Sequence, residues 1–134
     1  MTVIVTDTGF GPDGFNGAFS KLDVAKGASA FDLASDTDPG DLAGRLDGIE
    51  MIRVDFPSFA DGRGFTIARQ LRLMGYQGRL RAKGHVISDQ YAMARRSGFD
   101  EVEISDELAA RQPEDQWIFR ANWQAHDYQT RLRG

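Results

Sequence analysis

Apolar residues between positions 51 and 105 are spaced in two different ways. Short stretches in which at least every second residue is apolar, as in strands, occur at residues 51–56, 79–82 and 101–104. Between them, apolar residues recur three and four positions apart, as they do on the inner face of a helix. This spacing predicts helices over 65–74 and 87–97, each followed by a glycine that suits a helix end.

The order of these elements predicts the fold class. Strands that alternate with helices of this length form right-handed crossovers and a parallel sheet, which an antiparallel strand can make mixed. A chain of 134 residues has the size of one domain, so we predict a single α/β domain over 1–134 with a βαβαβ core at 50–105. An open sheet flanked by helices is favoured over a partial barrel, because a full eight-stranded barrel needs on the order of 250 residues.

The N-terminal part, residues 1–40, is predicted to be largely irregular. Residues 2–6 suit a short strand at a sheet edge, and residues 28–34 suit a second strand. Asp38 followed by a proline is a good start for a helix over about 40–46, because the carboxylate can cap the first turn and proline fits there.

The region after Ser105 is polar at first and then rich in aromatic residues. A capping pattern at Ser105 predicts a short helix to about Arg111, which Pro113 ends. The aromatic rings of the tail at 113–134 must be buried against something. We favour a terminal helix packed on its own sheet; the alternative is an arm at a subunit interface, which would make the protein a homodimer.

Composition and charge exclude several classes of function. The net charge of −4 and the pI near 5.1 argue against nucleic acid as a partner, since nucleic-acid binding requires a basic surface. The chain has no Cys, which excludes thiol chemistry and Cys-ligated metals, and it has only two His, so we predict no metal site. Neither a basic leader nor an apolar run of membrane-spanning length is present, and we predict a cytoplasmic protein with no membrane contact.

The candidate site lies where the predicted strands end. In parallel sheets, ligands bind at the carboxyl ends of the strands, where the loops gather. Arg63 lies between two glycines at the start of a predicted helix, whose N-terminus attracts anions. We therefore predict that a small oxyanion binds beside Arg63. The residues assigned to this site are Asp55, Asp61, Gly62, Arg63, Gly64, Thr66, Lys83, His85 and Asp89.

The same residues also allow a purely structural interpretation. Asp-Gly-Arg-Gly is a good turn sequence, in which Asp61 accepts backbone N–H bonds and Arg63 pairs with Asp55 or Asp61. A hydrogen-bonded structural role is also preferred for His85. Arg69 and Arg72 are expected on a solvated helix face or in interface pairs and not as catalytic groups. His126, in the polar tail, has no functional argument.

Residues 9–14, Gly-Phe-Gly-Pro-Asp-Gly, match the glycine pattern of dinucleotide-binding folds, and Asp32 lies near the distance expected for a ribose-binding acid. The motif requires a helix after its last glycine, whereas Phe-Asn-Gly at 15–17 is a poor helix former and Pro12 stiffens the turn. We favour a glycine-rich loop or hairpin. The alternative is an oxidoreductase that binds a nicotinamide nucleotide, NAD(P), at this segment.

A series of motifs in the second half of the chain resembles a family of small bacterial proteins of unknown function. The longest is Asp-Gly-Arg-Gly-Phe-Thr-Ile-Ala-Arg at 61–69. The others are Val-Asp-Phe-Pro at 54–57, Gly-Tyr-Gln-Gly at 75–78, Leu-Arg-Ala at 80–82, Gly84, Asp-Gln at 89–90 and Arg-Ser-Gly-Phe-Asp at 96–100. Members of this family are commonly encoded next to assimilatory sulfite reductase and are described as probable oxidoreductases in sulfite reduction.

The resemblance implies a role in sulfate assimilation, with sulfite reductase as the expected partner. We therefore expect an accessory protein of sulfite reduction that binds a partner enzyme or a small sulfur oxyanion. The alternatives are a nicotinamide-dependent oxidoreductase and a structural homodimeric subunit. Three positions depart from the family pattern: His85 stands where an acid is expected, Ser88 where an Arg is expected, and Ser97 where a Cys is frequent.

Overall fold

The computed structural model describes residues 2–21, 28–121 and 123. The strands in these ranges are β1 Thr2–Thr6, β2 Gly9–Gly11, β3 Ser20–Lys21, β4 Ala30–Leu33, β5 Met51–Phe56, β6 Arg79–Gly84 and β7 Glu101–Ser105. The α-helices are α1 Arg63–Leu73, α2 Tyr91–Ser97, α3 Asp106–Arg111 and α4 Glu114–Arg120. Two short 3-10 helices lie at Pro39–Leu42 and Ser88–Gln90.

The described strands form one mixed sheet in the order β2-β1-β7-β6-β5-β4-β3. Strands β3 to β7 are parallel neighbours in chain order, whereas β1 is antiparallel to both β2 and β7. The predicted α/β class and the open sheet are confirmed. Two details differ: β1 is not an edge strand, because β2 pairs with its outer side, and the described residues of the N-terminal part hold four strands, so it is more regular than predicted.

One face of the sheet packs against α1 and α2 and forms the apolar core. Alternate residues of the central strands, such as Val54, Leu80 and Val102, are completely buried there together with Leu71 of α1 and Ala94 of α2. Both helices lie on the same face because each crossover leads to the next neighbouring strand. Each helix runs back along the sheet, so α1 begins at the carboxyl ends of the strands.

The opposite face of the sheet, here called the polar face, carries charged residues at alternate strand positions. Register places these charged residues side by side, as in the pairs Arg53 with Arg81 and Arg81 with Glu101. A loop of residues 12–19, here called the covering loop, joins β2 at one sheet edge to β3 at the other edge. It crosses the polar face, so this face is covered by the chain itself.

The helix predicted over 40–46 is shorter than expected. Its start is as predicted, because Asp38 Oδ1 accepts the N–H of Gly40 at 2.9 Å and Pro39 occupies the first turn. It is a 3-10 helix that ends at Leu42, and Gly44 follows with a φ of 76°. Two glycines within five residues weaken the helix, since glycine has a low helix propensity.

The two core helices agree with the prediction more closely. Helix α1 starts two residues earlier than predicted, at Arg63, and Gly75 follows its end with a φ of 100°. The segment predicted as one helix over 87–97 begins as a 3-10 helix and continues as α2, with Gly98 as its C-cap at a φ of 117°. Positive φ values of this kind favour glycine, so both glycines end their helices as predicted.

The aromatic tail begins as a helix that packs on the rest of the chain. Trp117 of α4 is fully buried, its ring lies edge-to-face on Tyr91, and its Nε1 donates to the carbonyl of Gln112 at 2.9 Å. A helix packed on the rest of the chain is therefore present at Glu114–Arg120, and the arm at a subunit interface stays a prediction. Residues 124–134, including His126, lie outside the described residues. Among the described helices, none has both the length and the apolar content needed to cross a membrane.

Candidate functional site

A cleft of about 840 Å³ opens at the carboxyl ends of β3 to β6. Its lining includes Lys21 of β3, Asp32 of β4, Asp55 of β5 and Lys83 of β6. Five aspartates and three basic residues line it in total, so acids exceed bases by two. The position agrees with the predicted rim, but the charge of the cleft does not favour an anion.

The loop before α1 forms the turn that the structural interpretation describes. Asp61 Oδ1 accepts the backbone N–H of Arg63 at 3.1 Å and its Nε at 3.0 Å, while Oδ2 accepts Nη2 at 2.7 Å. Arg63 Nη2 also donates to the hydroxyl of Ser35 at 2.9 Å. The hydrogen bonds from Arg63 hold the pKa of the Asp61 carboxyl well below its usual range, so Asp61 is ionised at neutral pH.

The two glycines of this turn have different roles. Gly62 is the N-cap of α1 with a φ of −91°, so its backbone is not in the left-handed region. Gly64 is buried, and a Cβ at this position would collide with the ring of Phe56. Gly64 is therefore needed for packing of α1 on β5. Thr66 lies in the first turn of α1 and is exposed.

The segment between β5 and α1 is held against the loop after β6. The backbone N–H of His85 donates to the carbonyl of Phe56 at 2.9 Å, and the His85 Nδ1 lies 3.2 Å from the same oxygen. The Phe59 ring packs edge-to-face on the His85 ring with centroids 5.0 Å apart. Gln90 Nε2 donates to the Phe59 carbonyl at 3.0 Å. His85 thus has the hydrogen-bonded role preferred above, while its side chain stays exposed.

The remaining predicted site residues are distributed along the same rim. Asp55 and Lys83 are paired in register, and neither makes an ion pair within the described part of the chain. Asp89, on the second 3-10 helix, pairs instead with Arg120 of α4 at 2.8 Å. The structure therefore joins Asp61 to Arg63 and places Asp55 beside Lys83, whereas Asp89 is engaged by the C-terminal helix.

A network of buried charges on the polar face was not predicted from the sequence. Arg81 is fully buried and donates from Nε to Glu101 at 2.6 Å and from Nη1 to Glu103 at 2.9 Å. Arg53 connects the same Glu103, at 3.0 Å, to Asp32 on β4. Every buried polar side-chain atom in the described ranges has a hydrogen-bond partner. This satisfied network offsets the cost of removing the charges from water.

The assignment of Arg72 to a solvated helix face is wrong. Its side chain is only 26% exposed and donates to the carbonyls of Tyr76, Gly78 and Gly98 at 2.8 to 3.0 Å. Carbonyls at helix ends lack partners within their own helix, and a long cationic side chain is well suited to bind them. Arg72 of α1 therefore connects the loop between α1 and β6 to the C-terminal end of α2.

The glycine-rich segment at 9–14 forms a hairpin, as favoured above. Gly9–Gly11 is β2, which pairs with β1, and the covering loop that follows contains no helix. The dinucleotide motif binds a pyrophosphate with the N-terminus of the helix after its last glycine. This segment lacks the strand-turn-helix geometry on which the NAD(P) alternative depends.

Comparison with known proteins identifies the family. No curated protein and no solved structure matches the chain significantly. A family model described as "Bacterial protein of unknown function (DUF934)" matches residues 30–133, which is 104 of the 134 residues. The matched region contains β4 to β7, α1 to α4 and the Asp61–Arg63 turn, while β1 to β3 and the covering loop precede it. The chain therefore belongs to the DUF934 family of bacterial proteins of unknown function.

Proposed function

We propose that this protein is an accessory protein of sulfite reduction that binds sulfite reductase through a preformed surface at the carboxyl edge of the sheet. The surface, here called the recognition surface, consists of Phe59, Arg63 and His85. The observation that carries the proposal is that all three residues are exposed although hydrogen bonds hold the Arg63 and His85 side chains and the backbone of Phe59. The link with sulfite reduction rests on the motif resemblance of residues 54–100.

Two properties of the recognition surface support binding of a protein. Phe59 is 39% exposed and the Arg63 side chain is 59% exposed, and aromatic and arginine residues are enriched among the residues that dominate binding energies. Arg63 is held by Asp61 and Ser35, and the Phe59 backbone is held by Gln90. A surface that is ordered before binding loses less conformational entropy when a partner binds.

A binding assay with sulfite reductase from the same cell tests the proposal. We expect the intact protein to bind, and we expect the double variant Phe59→Ala, Arg63→Ala to bind at least about tenfold more weakly, since the best-buried interface residues contribute about 2 kcal/mol or more each. Arg69→Ala is the matched control, because Arg69 is exposed on the same helix outside the recognition surface. Absence of binding by the intact protein, or equal affinities of all variants, would contradict the proposal.

Binding of a small sulfur oxyanion at the same turn is the second candidate. It is favoured by one observation: within the described residues, Arg63 Nη1 makes no hydrogen bond, so donors of an exposed guanidinium remain available beside the N-terminus of α1. The Asp61 carboxylate already occupies Nε and Nη2 and is negatively charged. An oxyanion must therefore bind from the outer edge of the guanidinium.

Calorimetric titration with sulfite and sulfate distinguishes the two candidates. If the oxyanion binds, Arg63→Ala should weaken binding at least about tenfold, because a charge-assisted contact contributes about 1.5 to 3 kcal/mol. Arg69→Ala should bind like the intact protein. If the turn is only structural, no heat of binding is expected from the intact protein, and Asp61→Ala should lower the melting temperature through lost backbone and Arg63 hydrogen bonds.

A further inference from the structure

The covering loop contacts the polar face mainly through side chains. Asp13 accepts two hydrogen bonds from Arg81, from Nη1 at 3.1 Å and from Nη2 at 2.9 Å. The Phe15 ring centroid lies 5.7 Å from the Arg79 guanidinium carbon, and the Phe19 centroid lies 3.8 Å from that of Arg53. Each arginine on this face is therefore contacted by one side chain of the loop.

Arg81 is arranged to bind an acidic group from outside the sheet. Its Nε and one Nη1 hydrogen bond are directed to Glu101 and Glu103 on the neighbouring strand. Its two Nη groups together meet both oxygens of the Asp13 carboxylate, the two-point geometry in which arginine binds carboxylates most strongly. The hydrogen bonds from Arg81 lower the pKa of Asp13, so the loop carboxylate is charged at neutral pH.

The backbone of the covering loop contributes little to this attachment. The loop contains glycines at 14 and 17, and among its backbone N–H groups only that of Phe15 has a described hydrogen bond, to the Asp13 side chain. It is anchored at its far end by β3, which pairs only two residues with β4. The loop also lies outside residues 30–133, the region matched by the family model. The charged strand residues of the polar face lie within the matched region, whereas the covering loop does not.

We propose that the polar face is a binding site for an acidic, aromatic segment of another protein, and that the covering loop occupies it as an internal mimic of that segment. The ligand has one carboxylate for Arg81 and aromatic rings, spaced like Phe15 and Phe19, for Arg79 and Arg53. The site is distinct from the recognition surface, which lies at the carboxyl edge and does not involve these arginines. The external segment can bind only after the covering loop has left the polar face. This requires the short pairing between β3 and β4 to break.

A labelled synthetic peptide with the sequence of residues 10–20 is the probe, and its binding to the full chain is followed by fluorescence anisotropy. In the intact protein the tethered loop competes at high effective concentration, so peptide binding is expected to be weak. In the variant Asp13→Ala, Phe15→Ala, Phe19→Ala the internal competitor is lost, and peptide affinity should rise at least about tenfold. A peptide that carries Asn in place of Asp13 should bind this variant at least about tenfold more weakly.

Two single variants in the covering loop serve as controls for the triple variant. Asn16→Ala changes an exposed loop residue that makes no described side-chain contact, and it should bind the peptide as the intact protein does. Asp13→Asn alone keeps a side-chain oxygen that can accept the Phe15 N–H and weakens the contact with Arg81, so it should raise peptide affinity above that of the intact protein even if the triple variant fails to fold. The proposal is overturned if a folded triple variant does not bind the peptide, if Asp13→Asn leaves the affinity unchanged, or if reduced NAD(P) binds the triple variant while the peptide does not.

Discussion

Arg81→Ala is expected to lower the free energy of unfolding by about 3 to 5 kcal/mol. The substitution removes the fully buried guanidinium that contacts both Glu101 and Glu103, which are 5% and 4% exposed. Glu101 then keeps only its pair with the partly exposed Arg79, and Glu103 keeps only its pair with Arg53. The loss of hydration of the two buried carboxylates is no longer fully offset by hydrogen bonds and attraction, which is strongly unfavourable. Urea-induced unfolding followed by circular dichroism measures the change.

Arg79→Ala is the matched control for this prediction. Arg79 lies on the same strand and also pairs with Glu101, at 2.8 Å, but its side chain is 43% exposed. Exposed ion pairs contribute at most about 1 kcal/mol, so a small loss of stability is expected. Equal losses for the two variants would show that burial of the network is not what makes Arg81 important. A loss below about 1 kcal/mol for Arg81→Ala would show that the two glutamates are hydrated or protonated in the folded protein.

Trp117→Ala should destabilise the protein by about 3 to 5 kcal/mol, the range expected for removal of a large buried aromatic ring. Trp117 is completely buried and packs edge-to-face on Tyr91 with centroids 6.1 Å apart. Its indole N–H donates to the Gln112 carbonyl, which lies just after α3. The substitution would leave a cavity and would also remove the main contact that holds α4 on the fold.

The neighbouring Phe119 provides the control, because it lies on the same helix and is 73% exposed. Phe119→Ala should change the free energy of unfolding by no more than about 0.5 kcal/mol, as is usual for surface substitutions. Thermal and urea unfolding of both variants measure the difference. If Phe119→Ala is as destabilising as Trp117→Ala, the exposed face of α4 must be buried in solution, and the homodimer considered from the sequence becomes the explanation.

The elements that were correctly predicted are those with strong local signals. Strand β5 has the predicted limits, and α1 and α2 are followed by the glycines chosen as helix ends, at φ values of 100° and 117°. Such signals act within a few residues, because hydrophobic spacing, capping side chains and glycine conformations are properties of short segments. The helix over 40–46 was overestimated because its cap is strong but its glycines are poor helix formers.

The chemistry of the candidate site was only partly predictable. The sequence indicated that Arg63 lies at the carboxyl edge, and it left an oxyanion and Asp61 as competing partners. The structure places Asp61 against Arg63, a contact between residues two positions apart. The contact of Phe59 with His85 required two loops to meet, and no local pattern indicated it. The predicted sulfite reductase partner, the homodimer and the cytoplasmic location stay predictions.

The sequence alone was sufficient for the fold class, the order of the core strands and helices, and the edge of the sheet at which loops gather. The charge of the polar face could have been predicted from the sequence. Arg79, Arg81 and Lys83 alternate with apolar residues on one strand, and Glu101 and Glu103 do so on the next. The pairing of those charges depends on sheet register, and the closure of the face depends on Asp13, which contacts Arg81 across 68 positions of the chain. Contacts of this kind form only when distant segments are brought together by burial of the common core, so only the folded chain shows that the polar face is occupied.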